Sequence, residues 1–178
     1  MRGDDGVGVR IATVLEPALA ARGGVAIATH QLLPEHAESI SRARVVIVVD
    51  ASCTLAAGRV AWRKLRDDKD AVTIQTVLGH HGDPVSLLAL SRTLYDQAPK
   101  AVLVSIGVHS LALGDKLSPA VARAEGRVIR QIAALAKQPA RARMSTLRRL
   151  CAAGCKRGLI KSSAAKLSPG RASTHRKR

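Results

Sequence analysis

The sequence predicts an α/β protein with a doubly wound, mostly parallel twisted sheet and helices on both faces. Strand-like and helix-like segments alternate through residues 1–137, which is the order of a doubly wound fold. The branched run at 45–49 has no polar alternation, and such runs are typical of strands buried on both faces of a parallel sheet. Asp83 and Ser118 are each predicted to cap a helix, because each precedes a proline, a pattern that begins helices.

The first predicted element is a helix over residues 6–21. Its apolar residues recur at steps of three and four, and Asp4 or Asp5 stands where an N-cap belongs. The fold class places a central strand before this helix, and the sequence has no residues ahead of Met1 to form it. We therefore expect a sheet whose N-terminal strand is missing, and an inactive or unstable protein if the chain begins here.

The other elements follow from pattern and from helix-start signals. Each predicted helix has an apolar period near 3.6 or a proline in its first turn, and each predicted strand is a short run rich in branched residues. The predicted strands are 25–29, 45–49, 72–77 and 101–106, and the predicted helices are 34–43, 83–94 and 117–136.

The basic residues are concentrated at the C-terminus. Residues 1–137 hold 17 Lys and Arg against 13 Asp and Glu, whereas residues 138–178 hold 12 Lys and Arg and no acid. Like charges repel, and little apolar surface is available there to offset chain entropy. We therefore predict a domain over 1–137 and a disordered basic tail over 138–178, whose composition is compatible with a short helix over 144–153.

Composition also excludes some classes of protein. No apolar run reaches the roughly 18–20 residues that a membrane span requires. The first twenty residues contain Asp4, Asp5 and Glu16 and lack the order of a secretory signal. Three cysteines form no disulfide framework, so the expected compartment is the reducing cytoplasm.

Carboxylates and imidazoles are predicted to meet at one edge of the sheet. Asp4 and Asp5 open the first helix, Asp50 directly follows the run at 45–49, and the pair His80-His81 follows the strand at 72–77. Ligands of open α/β sheets bind beyond the carboxyl ends of the strands. Zinc, nickel and related divalent ions accept such nitrogen and oxygen ligands. Simpler interpretations remain open: each aspartate could cap a turn, and the histidines could be surface loop residues.

Five segments in this order resemble the hydrogenase maturation endopeptidases, which trim the large subunit of nickel–iron hydrogenases. The resemblance covers residues 2–136. The segments are RGDDGVG at 2–8, QLLPE at 31–35, VVIVVDA at 45–51, GHHGDPVSLLALS at 79–91 and LSPAV at 117–121.

The resemblance implies a function and a site. Proteins of this family cut a short C-terminal extension from a hydrogenase large-subunit precursor after nickel has been loaded into it. Their metal-contacting and catalytic positions correspond here to Asp5, Asp50 and His80, where His80 is preferred over His81 because of its offset from Leu87-Leu88. The nickel is supplied by the substrate precursor, and no organic cofactor is implied. Attack by a metal-bound water and recognition of nickel alone both remain open.

Other functions were weighed against this one. Cys53 could serve a thiol hydrolase with His80 or His81, although no basic neighbour is evident to lower its pKa. The tail could bind nucleic acid or another polyanion without sequence preference, since it has no aromatic residue for base stacking. An inactive truncated family member is a further alternative. A dinucleotide loop is disfavoured, because Asp4 and Asp5 would repel phosphate.

Overall fold

The computed structural model describes residues 3–65, 83–97, 99–109 and 116–155. A 3₁₀ turn over Gly3–Gly6 leads directly into the first helix. The helices are α1 Val7–Ala20, α2 His36–Ser41, α3 Pro84–Tyr95, α4 Pro119–Lys137 and α5 Ala140–Cys155, and the strands are β1 Val45–Ser52, β2 Val60–Leu65 and β3 Lys100–Gly107.

The strands described form a mixed sheet in the order β1-β3-β2. Strands β1 and β3 are parallel along their whole length, from Val45 opposite Lys100 to Ser52 opposite Gly107. Strand β2 runs antiparallel to β3 and was not predicted from the sequence. Its centre places Arg63 and Lys64 side by side, both exposed, so the alternation that marks a half-buried strand is broken.

Helices cover both faces of the sheet, as the sequence predicted. Alternate residues of β1 face different clusters: Ile47 and Val49 pack with the larger core, and Val46 and Val48 with the smaller one. This confirms that the branched run is packed on both faces. The larger core is lined by one stripe of α4 whose members recur every three or four residues and are all buried, namely Val121, Ala124, Val128, Ile132 and Leu135.

Several predicted boundaries are correct and others are wrong. Asp83 caps α3, since its carboxylate accepts hydrogen bonds from the backbone N–H groups of Val85 and Ser86. The strand predicted at 25–29 is absent from the structure, which has irregular backbone there with Val25 78% exposed. The helix predicted at 34–43 is shortened to α2. The predicted strand at 72–77 lies outside the described residues.

The C-terminal basic segment is partly a packed helix. Leu147 of α5 is 2% exposed and lies in the larger core. The guanidinium of Arg143 donates hydrogen bonds to the backbone carbonyls of Leu135 at 3.1 Å and Gln138 at 3.0 Å, at the end of α4. The disorder predicted for 138–178 therefore does not apply to residues 140–155, because their apolar stripe has a core to join. Residues 156–178 lie outside the described part, and the domain boundary at 137 stays a prediction.

Across the described ranges, no helix has both the length and the apolar character that crossing a membrane requires.

Replacing Leu147 with alanine is expected to destabilise the protein by about 2–4 kcal/mol, because it removes buried methyl groups and leaves a cavity beneath α5. Trp62 packs in the same cluster and is the chain's one tryptophan, so its fluorescence during urea unfolding measures the change. Leu94→Ala is the matched control, since Leu94 is 61% exposed. Equal losses in both variants would contradict the packing of α5.

Candidate functional site

The carboxyl ends of β1 and β3 lie at the same edge of the sheet. The two strands are parallel and in register, with Asp50 of β1 opposite Ser105 of β3. The opening turn of the chain reaches this edge. A Cβ atom added to Gly8 would lie 2.6 Å from the carbonyl oxygen of Val49, so only glycine permits the observed approach of α1 to β1. Gly8, the last glycine of the opening motif, thereby allows the turn to lie beside Asp50.

Asp4 is buried at this edge and joins three segments of the chain. It is 1% exposed, and its carboxylate accepts hydrogen bonds from the backbone N–H of Ser118 at 2.7 Å, from the Ser118 hydroxyl at 3.0 Å and from the backbone N–H of His109 at 3.4 Å. His109 follows β3, and Ser118 precedes α4. Asp4 therefore links the 3₁₀ turn to the end of β3 and to the start of α4.

This arrangement corrects two predicted caps. Neither Asp4 nor Asp5 caps α1, because both lie in the 3₁₀ turn that precedes it. The N-cap position belongs to Gly6, which has no side chain to make a capping hydrogen bond. Ser118 occupies the N-cap position of α4, but its hydroxyl makes no capping bond and donates to Asp4 instead.

Two of the three predicted site residues, Asp5 and Asp50, lie within the described part of the chain. Asp5 and Asp50 are both exposed. Partial burial raises the pKa of Asp50 above its usual range, the backbone N–H of Ala51 lowers it in part, and the negative charge of Asp5 raises it further. The charge of Asp5 therefore acts on Asp50, and the predicted grouping of Asp5, Asp50 and His80 stays a prediction.

The third predicted residue, His80, lies outside the described residues, as does His81. Within the parts of the chain that the structure describes, no three His, Cys, Asp or Glu side chains are grouped closely enough to hold a metal ion. The nickel-contacting set of Asp5, Asp50 and His80 thus stays a prediction. The thiol alternative also stays untested, since Cys53 is exposed just after β1 and its partner would be one of the same two histidines.

Local sequence signals do not indicate the network of Asp4, His109 and Ser118. Serine before proline is a pattern that predicts a helix cap, and the hydrogen bond to Asp4 depends on a residue far away in the chain. The signal that could have found the network is the pairing of two motifs, since the first acid of RGDDGVG and the serine of LSPAV meet in the structure.

Solved structures of other proteins are similar to this chain, and two of them superpose on it over most of its residues. The nickel–iron hydrogenase maturation protease HycI of Thermococcus kodakarensis KOD1 superposes with a TM-score of 0.61 at 19% identity, over 77% of this chain and 86% of that one. The nickel–iron hydrogenase maturation protease HybD of Thermococcus kodakarensis has a TM-score of 0.55 at 18% identity, over 77% and 93%.

The chain shares the fold of the hydrogenase maturation proteases. This agrees with the fold that the ordered motifs implied. No protein-family model and no curated protein matches the sequence. Asp50 lies at the carboxyl edge of β1, and open α/β sheets bind their ligands beyond such edges.

Replacing Gly8 with alanine is expected to destabilise the protein by about 1–3 kcal/mol, because the added methyl group overlaps the backbone carbonyl of Val49 and the helix must shift. Gly126→Ala is the control of opposite sign. Gly126 lies inside α4, where a Cβ would approach only the flexible Arg130 side chain at 3.5 Å, and a stabilisation of about 0.5–1 kcal/mol is expected. Urea unfolding measures both, and a stabilising Gly8→Ala would show that the helix is not held against β1.

Replacing Asp5 with asparagine is expected to lower the pKa of Asp50, because it removes a charge that raises it. A raised carboxyl pKa means that the folded protein binds this proton more tightly than the unfolded chain. Stability therefore falls as the pH rises from the unfolded pKa through the folded pKa, and this loss shrinks in Asp5→Asn. Carbon-13 NMR titration of the Asp50 carboxyl group measures the shift; Asp83→Asn, on another element, should leave the Asp50 titration unchanged. An unaltered Asp50 titration in Asp5→Asn would mean that the two carboxylates do not interact.

Proposed function

We propose that this protein is an endopeptidase that removes the C-terminal extension of a nickel-loaded hydrogenase large-subunit precursor. The observation that supports the proposal is the position of Asp50 at the carboxyl edge of β1, beside β3, where the charge of Asp5 acts on it. The fold shared with hydrogenase maturation proteases supports it, as does the ordered set of motifs. The proposed compartment is the cytoplasm, where free thiols such as Cys53 and Cys151 stay reduced.

The negative charges at the carboxyl edge of the sheet favour binding of a cation. Burial raises the pKa of Asp50, and repulsion by the negative charge of Asp5 raises it further. A divalent ion between them would remove that repulsion, and carboxylate oxygens are suitable ligands for it. The imidazole of His80 completes the proposed set, with nickel arriving as part of the substrate.

The proposed chemistry begins with capture. When Asp5, Asp50 and His80 bind the nickel of the precursor, the peptide bond to be cut is held next to the site, and the reaction gains from proximity. The metal can polarise the peptide carbonyl or activate a water molecule for attack. Each route uses the same ligands in their deprotonated forms, so cleavage is expected to slow as the pH falls.

The test is cleavage of a purified nickel-loaded precursor, followed by mass spectrometry of its C-terminus. His80→Ala is expected to lower the rate by at least about 100-fold, since losing even a residue that orients a metal ligand costs about 10–100-fold. Asp50→Asn should have a comparable effect. His81→Ala is the matched control and should cleave near the wild-type rate, as should Cys53→Ser.

Two outcomes would contradict the proposal. One is the absence of any mass loss with the wild-type protein while another maturation protease cuts its own precursor under the same conditions. The other is equal cutting of precursor with and without nickel, because recognition through Asp5, Asp50 and His80 requires the metal.

A further inference from the structure

We propose that Asp4 is a positioning residue, whose buried carboxylate fixes the 3₁₀ turn so that Asp5 stays beside Asp50. This inference deepens the proposed function and rests on it for the role of Asp5. It divides the two adjacent acids of the opening motif between two tasks: the first acid holds the turn in place, and the second faces the substrate.

The contacts of Asp4 are those of a structural clamp. A carboxylate that is 1% exposed loses its hydration and must be compensated by donors from the protein. The Ser118 backbone N–H and hydroxyl supply such donors at 2.7 and 3.0 Å, and the His109 backbone N–H lies at 3.4 Å. These partners are 105 and 114 residues away in the chain, so the clamp exists only in the folded protein.

The pattern of burial shows how the clamp acts on Asp5. Asp4 and Gly6 are buried on either side of it, and Val7 behind them is fully buried. Asp5 is the exposed residue of this stretch. Anchoring both neighbours fixes the backbone from which the Asp5 side chain projects, at the place where Gly8 contacts Val49.

The hydroxyl of Ser118 makes its hydrogen bond with Asp4 rather than with a backbone N–H of α4. A serine in the N-cap position normally accepts a hydrogen bond from a backbone N–H of the first helical turn. Ser118 makes no such bond in α4 and donates to Asp4. Its backbone N–H points to the same carboxylate. The start of α4 is thereby joined to the opening turn at the site edge.

The experiment compares Ser118→Ala with Ser91→Ala. Ser118→Ala removes one donor to Asp4 and leaves the backbone donors in place, so the variant is expected to fold. Ser91 is a matched control, because it is fully buried and its hydroxyl donates to the carbonyl of Gln97 at 2.9 Å. Ser91 lies in the second half of α3, which leads to the beginning of β3. That end of the sheet is the one away from Asp50.

Two readouts are taken on the full-length protein: kcat/KM for the nickel-loaded precursor, and amide hydrogen exchange of residues 3–8. Ser118→Ala is expected to lower kcat/KM by about 10-fold, the lower range for a residue that orients a metal ligand, and to speed exchange in the turn. Ser118→Thr, which keeps the hydroxyl, should restore both. Ser91→Ala should leave both unchanged, even if its melting temperature falls as far as that of Ser118→Ala.

The outcomes separate this inference from the proposed function. Unchanged exchange in the turn of Ser118→Ala overturns the clamp, and so does an equal loss of kcat/KM in Ser91→Ala. Faster exchange with unchanged kcat/KM overturns the positioning role. If the wild-type protein does not cut the precursor, the proposed function fails, and the exchange readout still decides whether Asp4 holds the turn.

Discussion

The buried carboxylate of Asp4 is the constraint on which the site edge depends. A charge removed from water is tolerated only where hydrogen-bond donors replace the lost hydration, and here those donors come from Ser118 and from the backbone of His109. The chain must therefore bring its opening turn, the end of β3 and the start of α4 to one place. These segments are far apart in sequence, so the hydrogen bonds of Asp4 form only when the chain has folded around them.

The same edge brings the charge of Asp5 near Asp50. Burial raises the pKa of Asp50, and the charge of Asp5 raises it further. The approach of the opening turn to β1 depends on the absence of a side chain at Gly8. In the proposed function, a cation bound between the two carboxylates would offset their repulsion.

The excess positive charge of the chain does not mark a separate disordered appendage throughout. In α5 the basic side chains lie on a helix that also carries an apolar stripe, in which Leu147 is buried and Met144, Leu150 and Cys151 are partly buried. Arg143 bonds to carbonyls at the end of α4, a role that guanidinium groups perform well because they present several donors in a plane. Net charge alone could not distinguish this helix from a solvated tail, because it takes no account of where the apolar residues fall.

The sequence by itself determined the elements whose signals are local. The branched run of β1, the start of α4 at Pro119 and the cap at Asp83 depend on residue type and on hydrogen bonds within a few residues, and each was predicted. Tertiary structure decided the rest. Strand β2 is held by pairing with β3 rather than by its own pattern, and Ser118 donates to Asp4 only because folding brings the two together. Local propensity acts between neighbours in the chain. The hydrogen bonds of a buried carboxylate and of a strand edge are made with distant groups that only folding brings close.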